Sequence, residues 1–321
     1  MRWIFIKIVV LESLSVGEDI SWEPLRQFGE LTLCRDLTKN DIKEAIKDAD
    51  IIIPNKLLIN KEVLSGSSVK AVFEAATGYN NIDTDYCHKN NITVANVSGY
   101  STNSVVQHTI ALLLSLYEKI DYYNTFVKDG TYSSTNNFSH FGRTFNELCG
   151  KRWGIAGLGA IGRKVATIAT AFGCEVVYYS ASGNTYDVPY KAVDFDTFLS
   201  TCDVITIHCP LNGTTKDMFN YEAFKKMQPH AVLVNVARGP IVNEDDLVRA
   251  INENLIAGSA LDVFKTEPIK KDSPLLSIKD NSRLIMTPHN AWGSVESRTC
   301  LIEELCKNIQ AYINGQERNL V

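Results

Sequence analysis

The chain has 321 residues, 45% of them hydrophobic and 21% charged, with a formal net charge of -5 and a pI near 5.7. That is enough chain for two domains with ordinary cores, and the mildly acidic balance gives no reason to expect nucleic acid or an anionic membrane as a partner. The eight cysteines (Cys34, Cys87, Cys149, Cys174, Cys202, Cys209, Cys300 and Cys306) contain no C-x-x-C pair. They read as reduced thiols of a cytoplasmic protein, with no expected metal site.

Residues 1–11 are mostly apolar, but Lys7 interrupts the run, Glu12 follows it and no small-residue cleavage site is evident. The expectation is a buried first strand rather than a signal peptide. From residue 4 to about 97, β-branched runs alternate with helical stretches: 6–10, 41–47, 51–53, 61–64, 69–73, 83–89 and 93–95. This is the pattern of a parallel sheet with crossover helices. Residues 102–118 then predict a long, leucine-rich amphipathic helix bridging two units, with capping residue types in the Gly99-Tyr100-Ser101-Thr102 lead-in. Residues 121–148 are aromatic and polar with little periodicity, and are expected to form a loop or arm that packs on something else, such as another subunit.

A glycine-rich turn follows. Gly157-Leu158-Gly159-Ala160-Ile161-Gly162 lies between a strand-like run at 151–156 and a helix-like run at 163–169. In a dinucleotide-binding turn the first glycine permits the bend, the second lets backbone approach a pyrophosphate and the third lets helix and strand pack closely. Alone the pattern is weak, since a sharp strand-to-helix bend needs glycine in any case. The alternation then resumes at 175–179, 195–199, 204–208, 221–226, 231–235, 244–252, 258–263 and 284–286, which predicts a second, doubly wound unit. A last helix, 294–313, has no strand after it and is expected to fold back on the first unit.

Three strand ends of the second unit carry polar groups where an open parallel sheet places its ligand crevice. They are Asn235-Val236-Ala237-Arg238-Gly239, Leu261-Asp262-Val263-Phe264-Lys265-Thr266-Glu267-Pro268 and Thr287-Pro288-His289-Asn290-Ala291-Trp292. With these segments the chain resembles the D-isomer-specific 2-hydroxyacid dehydrogenases from Ile8 to the C-terminal helix. The resemblance implies an α/β protein of two Rossmann-like doubly wound parallel-sheet domains. A discontinuous, flavodoxin-like substrate domain (1–100 plus 290–321) would hold an inserted NAD-binding domain (101–289).

It also implies Arg238, Glu267 and His289 as the catalytic set. Reducing a 2-oxo acid needs a hydride at the carbonyl carbon, a proton at its oxygen and a cation to orient carboxylate and carbonyl. Arginine suits the last task through its planar charged fork, histidine can donate near neutral pH, and a neighbouring carboxylate can hold the ring. Taken singly, Arg238 reads as a surface ion-pair partner, His289 as a satisfied loop histidine and Glu267 as a solvated charge. Three at successive strand ends reverse that judgement.

By the same resemblance the cofactor contacts are Thr102, Gly157, Gly159, Ala160, Ile161, Gly162, Ser180, Cys209, Pro210, Thr215, Val236, Ala237, Arg238, Asp262 and His289. Asp262 would face the nicotinamide. The substrate contacts are Ala76, Thr77 and Gly78, whose backbone amides would capture a carboxylate, together with Arg238, His289 and Trp292. Plainer readings stand beside these: Thr77-Gly78-Tyr79-Asn80-Asn81 is good turn chemistry, Thr102 a helix cap and Trp292 a packing residue. The implied cofactor is NAD. Ser180 stands where an NAD site usually has an acidic residue, so NADP stays open; no arginine or lysine between Ser180 and Lys191 supplies a 2'-phosphate clamp.

Residues 96–108, 177–183 and Trp292 look most like the glycerate dehydrogenase (hydroxypyruvate reductase) branch, with glyoxylate as a secondary substrate. Formate dehydrogenases carry glutamine at the place of Glu267. A D-lactate-type or broad-specificity enzyme is the alternative, and an NAD(H)-sensing corepressor-like binding protein the alternative of another class. The family is usually homodimeric.

Overall fold

The structure, a computed structural model, describes residues 6–35, 37–38 and 41–321. Residues 1–5, the opening of the expected first strand, lie outside the described residues. The chain divides into two units, Met1–Ser101 with Trp292–Val321, and Thr102–Ala291.

In the first unit five strands, β1 (Ile6–Val10), β2 (Gly29–Leu33), β3 (Ile51–Ile53), β4 (Ala71–Phe73) and β5 (Thr93–Ala95), form a parallel sheet in the order β2-β1-β3-β4-β5. β3 and β4 are buried at every residue, as expected of strands covered on both faces. β2 had no counterpart among the expected strands. It is an edge strand with only Leu31 buried, so it lacks the apolar run that marks its neighbours.

The crossover helices start on side-chain caps: Asn60 accepts from the Val63 amide and Asp83 from the Tyr86 amide. The helix Val295–Ile313 is capped by Ser294. Its Leu301, Ile302, Leu305 and Ile309 pack in one cluster with Val10, Ile53 and Phe73 of the sheet. Each such side chain contributes about 1.5–3 kcal/mol on burial.

The second unit has β6 (Arg152–Ala156), β7 (Glu175–Tyr179), β8 (Lys191–Ala192), β9 (Val204–Ile207), β10 (Val232–Asn235), β11 (Gly258–Leu261) and β12 (Leu284–Met286), all parallel, in the order β12-β11-β10-β9-β6-β7-β8. The chain runs outward from β6 to β8 and then returns to β9 on the other side. The switch of direction between β6 and β9 opens a crevice at their carboxyl ends.

The helix Thr102–Glu118 belongs to this unit. It ends at Lys119, whose φ of 57° lies in the left-handed region, and a further helix, Ile120–Lys128, follows. This corrects the expectation of an irregular arm over the whole of 121–148. The new helix buries no residue. Its Tyr122, Tyr123 and Phe126 instead face His140 of the returning chain, with the Phe126 and His140 rings stacked at 3.8 Å, so no core-facing stripe marked it. Among the described residues no helix is long and apolar enough to cross a membrane.

Candidate active site

β6 runs into the glycine turn, and the three glycines do three different things. Gly157 has φ 96°, and a Cβ there would lie 2.6 Å from the Cys209 amide nitrogen. Only glycine lets the end of β6 pass so close to the residue after His208. A Cβ on Gly162 would meet the Gly157 carbonyl oxygen at 2.2 Å, so the third glycine seats the helix Ala160–Ala171 against the turn. A Cβ on Gly159 would meet nothing within 4 Å. Gly159 is the cap of that helix and no side chain satisfies its first amides. Open space at an uncapped helix start suits a pyrophosphate, so the residues fit a dinucleotide.

Beside it, Tyr179 accepts a hydrogen bond from the Gly157 amide at 3.0 Å, and Ser180 follows with its hydroxyl 3.2 Å from that of Ser182. No carboxylate stands at that strand end. A cation does reach this loop from elsewhere: the Arg163 guanidinium, on the helix after the turn, lies 4.7 Å from the centre of the Tyr186 ring. Arg163 precedes this loop in sequence and lies outside residues 180–191. The Cys209 thiol is buried and pushed up to about 11 by that burial. The Thr215 hydroxyl is enclosed, donating to the Pro210 carbonyl at 2.7 Å and accepting from the Asn212 amide at 2.9 Å. It braces the turn that carries Cys209 and Pro210.

At the end of β10 the fully buried Asn235 holds the next turn, accepting from the Ala237 amide at 3.0 Å and donating to the Arg238 carbonyl at 2.9 Å. The Arg238 guanidinium donates to the Ala237 carbonyl at 2.8 Å. The next residue explains the placement: a Cβ on Gly239 would lie 2.0 Å from the backbone of Phe264. The arginine turn therefore rests directly on the segment after β11. There the Phe264 amide donates to Glu267 at 2.9 Å, and the other Glu267 oxygen meets His289 Nδ1 at 2.5 Å. With Nδ1 held by a carboxylate, the ring presents Nε2 for proton transfer.

His289 has φ 52°, a left-handed conformation that costs a β-carbon residue on the order of 1–3 kcal/mol. Asp262 holds the loop that imposes it. One carboxylate oxygen accepts from the Thr287 hydroxyl at 2.6 Å and the Asn290 amide at 3.0 Å, the other from the Ala291 amide at 2.9 Å. His108 of the helix Thr102–Glu118 adds a contact at 3.5 Å and bonds Thr287 at 2.9 Å. Burial opposes ionisation of Asp262, but these donors outweigh it and hold the carboxyl below its usual range. The sequence singled out Asp262 for a cofactor contact and gave His108 no role. Their packing on Thr287 became visible only when helix and loop were brought together.

The first unit carries the remaining segment. Asn96 donates to the Thr77 carbonyl at 2.6 Å, the Thr77 hydroxyl to the Val97 carbonyl at 2.9 Å, and the Val97 amide to the Ala76 carbonyl at 3.0 Å. The carbonyls are thus occupied, while the amides of Ala76, Thr77 and Gly78 donate to no group among the described residues. Directly before this turn, Glu74 is fully buried; Asn81 donates to one of its oxygens at 3.2 Å and the other has no partner. Trp292, in this same unit, packs edge-on against Tyr100 at 6.2 Å and joins the sheet's apolar cluster.

Comparison with known proteins gives a consistent picture. Residues 110–291 match the family model for the NAD binding domain of D-isomer specific 2-hydroxyacid dehydrogenases. A hydroxypyruvate reductase of Blautia hydrogenotrophica is 36% identical, over 98% of this chain and 99% of that one. A glycerate dehydrogenase of Methylorubrum extorquens is 34% identical, over 88% and 89% of the two chains. Among solved structures, a D-lactate dehydrogenase from Aquifex aeolicus, complexed with NAD and lactic acid, superposes with a TM-score of 0.82 at 27% identity, over 96% of each chain.

Proposed function

The chain belongs to the D-isomer-specific 2-hydroxyacid dehydrogenases, and on that premise we propose that it reduces hydroxypyruvate to D-glycerate, with glyoxylate as a second substrate. It is an NAD-dependent oxidoreductase of 2-hydroxy acids. The observation that carries the choice of chemistry is the 2.5 Å pairing of His289 Nδ1 with Glu267, on a segment whose Phe264 backbone rests against Gly239, the residue after Arg238.

When bound, NADH supplies the hydride. The Arg238 fork orients the substrate carboxylate and polarises the carbonyl oxygen. His289 delivers the proton from Nε2 to that oxygen, and Glu267 keeps the ring in the donating orientation. Hydride and proton together convert the 2-oxo acid into the 2-hydroxy acid. The free amides of Ala76, Thr77 and Gly78 support a second anchor for the carboxylate, and Trp292 is assigned to the substrate side. Gly157, Gly159, Ala160, Ile161 and Gly162 hold the pyrophosphate, with Thr102, Cys209, Pro210, Thr215, Val236, Ala237 and Asp262 as the remaining cofactor residues. Ser180 takes the ribose hydroxyls. A neutral residue there does not repel a 2'-phosphate, so NADPH is admitted but not preferred.

Following NADH absorbance with hydroxypyruvate, glyoxylate, pyruvate and 2-oxoisocaproate tests the assignment, with hydroxypyruvate expected to give the highest kcat/KM. His289→Ala should abolish most turnover and leave the NADH dissociation constant nearly unchanged. No turnover with any of the four acids would sink the enzyme reading in favour of a binding protein, and preference for pyruvate would favour a D-lactate-type enzyme.

We assign the chain to the cytoplasm, on the strength of eight free thiols. We also propose a homodimer through the aromatic arm, whose Phe138 and Phe141 are 96% and 81% exposed. Sedimentation equilibrium should return twice the 35.7 kDa chain mass; the monomer mass would refute it.

A further inference from the structure

The parallel sheet of the second unit has a second populated edge. Arg238, Asp262 and His289 follow β10, β11 and β12, whereas His230, Asn254 and Arg283 precede the same strands. At this opposite, amino-terminal edge lies an open pocket of about 440 Å³, whose lining includes Tyr117 and Lys119 from the end of the helix Thr102–Glu118 and Arg143 and Phe145 of the arm. No residue with a catalytic or cofactor assignment lines it.

Its charges do not balance. Asp280 is the one carboxylate in the lining, and it is already committed, accepting from the Ser282 amide and hydroxyl at 3.1 and 2.6 Å and from Arg143 at 3.1 Å. Arg283 is spread over backbone, donating to the Ala257 carbonyl at 2.8 Å, the Asn254 side chain at 2.7 Å and the Ile256 carbonyl. These are neutral acceptors, and the only carboxylate that acts on its charge among the described residues is Asp280, without a direct ion pair. His230 is paired with Asp203 outside the cavity at 2.6 Å. Lys119 has neither a hydrogen bond nor an ion pair for its ammonium among the described residues. Three cations therefore face one carboxylate.

Lys119 is also the residue that holds the left-handed turn between two helices, so its side chain is delivered into the cavity by a conformation that lysine rarely adopts. Burial pushes its ammonium below the usual range. Asp280 opposes that shift, and Arg283 and Arg143 add to it. An unpaired, partly desolvated cation beside two guanidinium groups is a costly arrangement in the absence of an anion. The size suits a compact organic molecule, and the Tyr117 and Phe145 walls give its carbon frame an apolar face.

We propose that this cavity binds a small organic dianion, a metabolite carrying two carboxylates or a phosphate, with Lys119 and Arg283 supplying the uncompensated charge and Arg143 keeping Asp280 paired. Two net positive charges in the lining match two negative charges on the ligand.

The test is calorimetric titration of the whole protein with malonate and, separately, inorganic phosphate, at constant ionic strength balanced by chloride. Saturable binding of at least one probe is expected, weakened tenfold or more in both Lys119→Met and Arg143→Ala, with the NADH dissociation constant unchanged. Methionine at position 119 meets the same left-handed backbone as lysine, and thermal melts would verify that both variants are folded. Binding of malonate alone would identify the ligand as a dicarboxylate, and of phosphate alone as a phosphate ester. Absence of saturable binding by both probes, or binding that survives both substitutions at wild-type strength, would overturn the proposal.

Discussion

Asp262 and Glu74 invite comparison. Each is the first residue after a parallel strand, β11 in one unit and β4 in the other, and each is 0% exposed. Their surroundings assign them different charge states. Asp262 collects donors from Thr287, Asn290, Ala291 and His108 and is held below the usual carboxyl range. Glu74 is pushed up to about 9, chiefly by burial. Asn81 and the more distant Lys56 pull it down, and Glu12 pushes it further up. Burial is common to both, so the number of aimed donors decides the protonation state. The charged member organises the loop of His289, and the neutral member lies beneath the turn of Ala76–Gly78.

The comparison breaks most visibly at Asp262. Asparagine preserves the shape but replaces one acceptor oxygen with an NH2 group. That group must face either the Ala291 amide or the Thr287 hydroxyl and Asn290 amide. Asp262→Asn should cost about 2–4 kcal/mol of stability by urea denaturation. It should also lower kcat by about a hundredfold, since proton transfer depends on placement, while NADH affinity, to which Asp262 also contributes, falls by a smaller factor. Loss concentrated in NADH affinity would instead mark Asp262 as primarily a cofactor contact. The sign of the pH effect follows from its depressed ionisation. The stability it contributes is present above the ordinary carboxyl range and is lost as pH falls through the lowered native value, and the asparagine variant should lack that acid-side loss.

How much of this was legible beforehand depended on sequence distance. The strand-turn-helix at Gly157–Gly162 is local, and the spacing of its three glycines marks the bend and the helix start. The positions of Arg238, Glu267 and His289 were also readable, because each lies just beyond a strand whose apolar run is evident. What holds them was not. Asp262 reaches 29 residues ahead to Ala291, and His108 reaches 179 residues to Thr287. Neither pairing leaves a periodic trace. The collision that makes Gly239 necessary is with Phe264, on the next strand's exit, and a single glycine after Arg238 does not announce it. Glu74 was invisible for a different reason: a lone carboxylate after an apolar run looks solvated until the turn above closes over it. Arg163 and Lys119 look like ordinary helix-surface cations until the loops that meet them are in place.

Glu74 sharpens the comparison from the other side. Its folded value of about 9 stands against 4.5 for the unfolded chain. Below pH 4.5 both states are protonated and the fold keeps its full stability. Between 4.5 and 9 the unfolded chain ionises while the native state retains its proton, so stability falls as pH rises, by up to about 1.4 kcal/mol per unit. Glu74→Gln keeps an oxygen for the Asn81 amide and cannot ionise, so that slope should vanish. The variant's melting temperature should match that of wild type near pH 5 and exceed it increasingly towards pH 9, with a gain on the order of a few kcal/mol at pH 8. Other titrating groups are common to both proteins and cancel in the difference. The KM for the 2-oxo acid at pH 6 should hardly change, because the amides of Ala76, Thr77 and Gly78 are untouched. Parallel pH curves for the two proteins would mean that Glu74 ionises within the fold by drawing in a cation, for which Lys56, whose charge already acts on it, is the candidate. The two buried carboxyls would then differ in which partner they recruit, and no longer in charge.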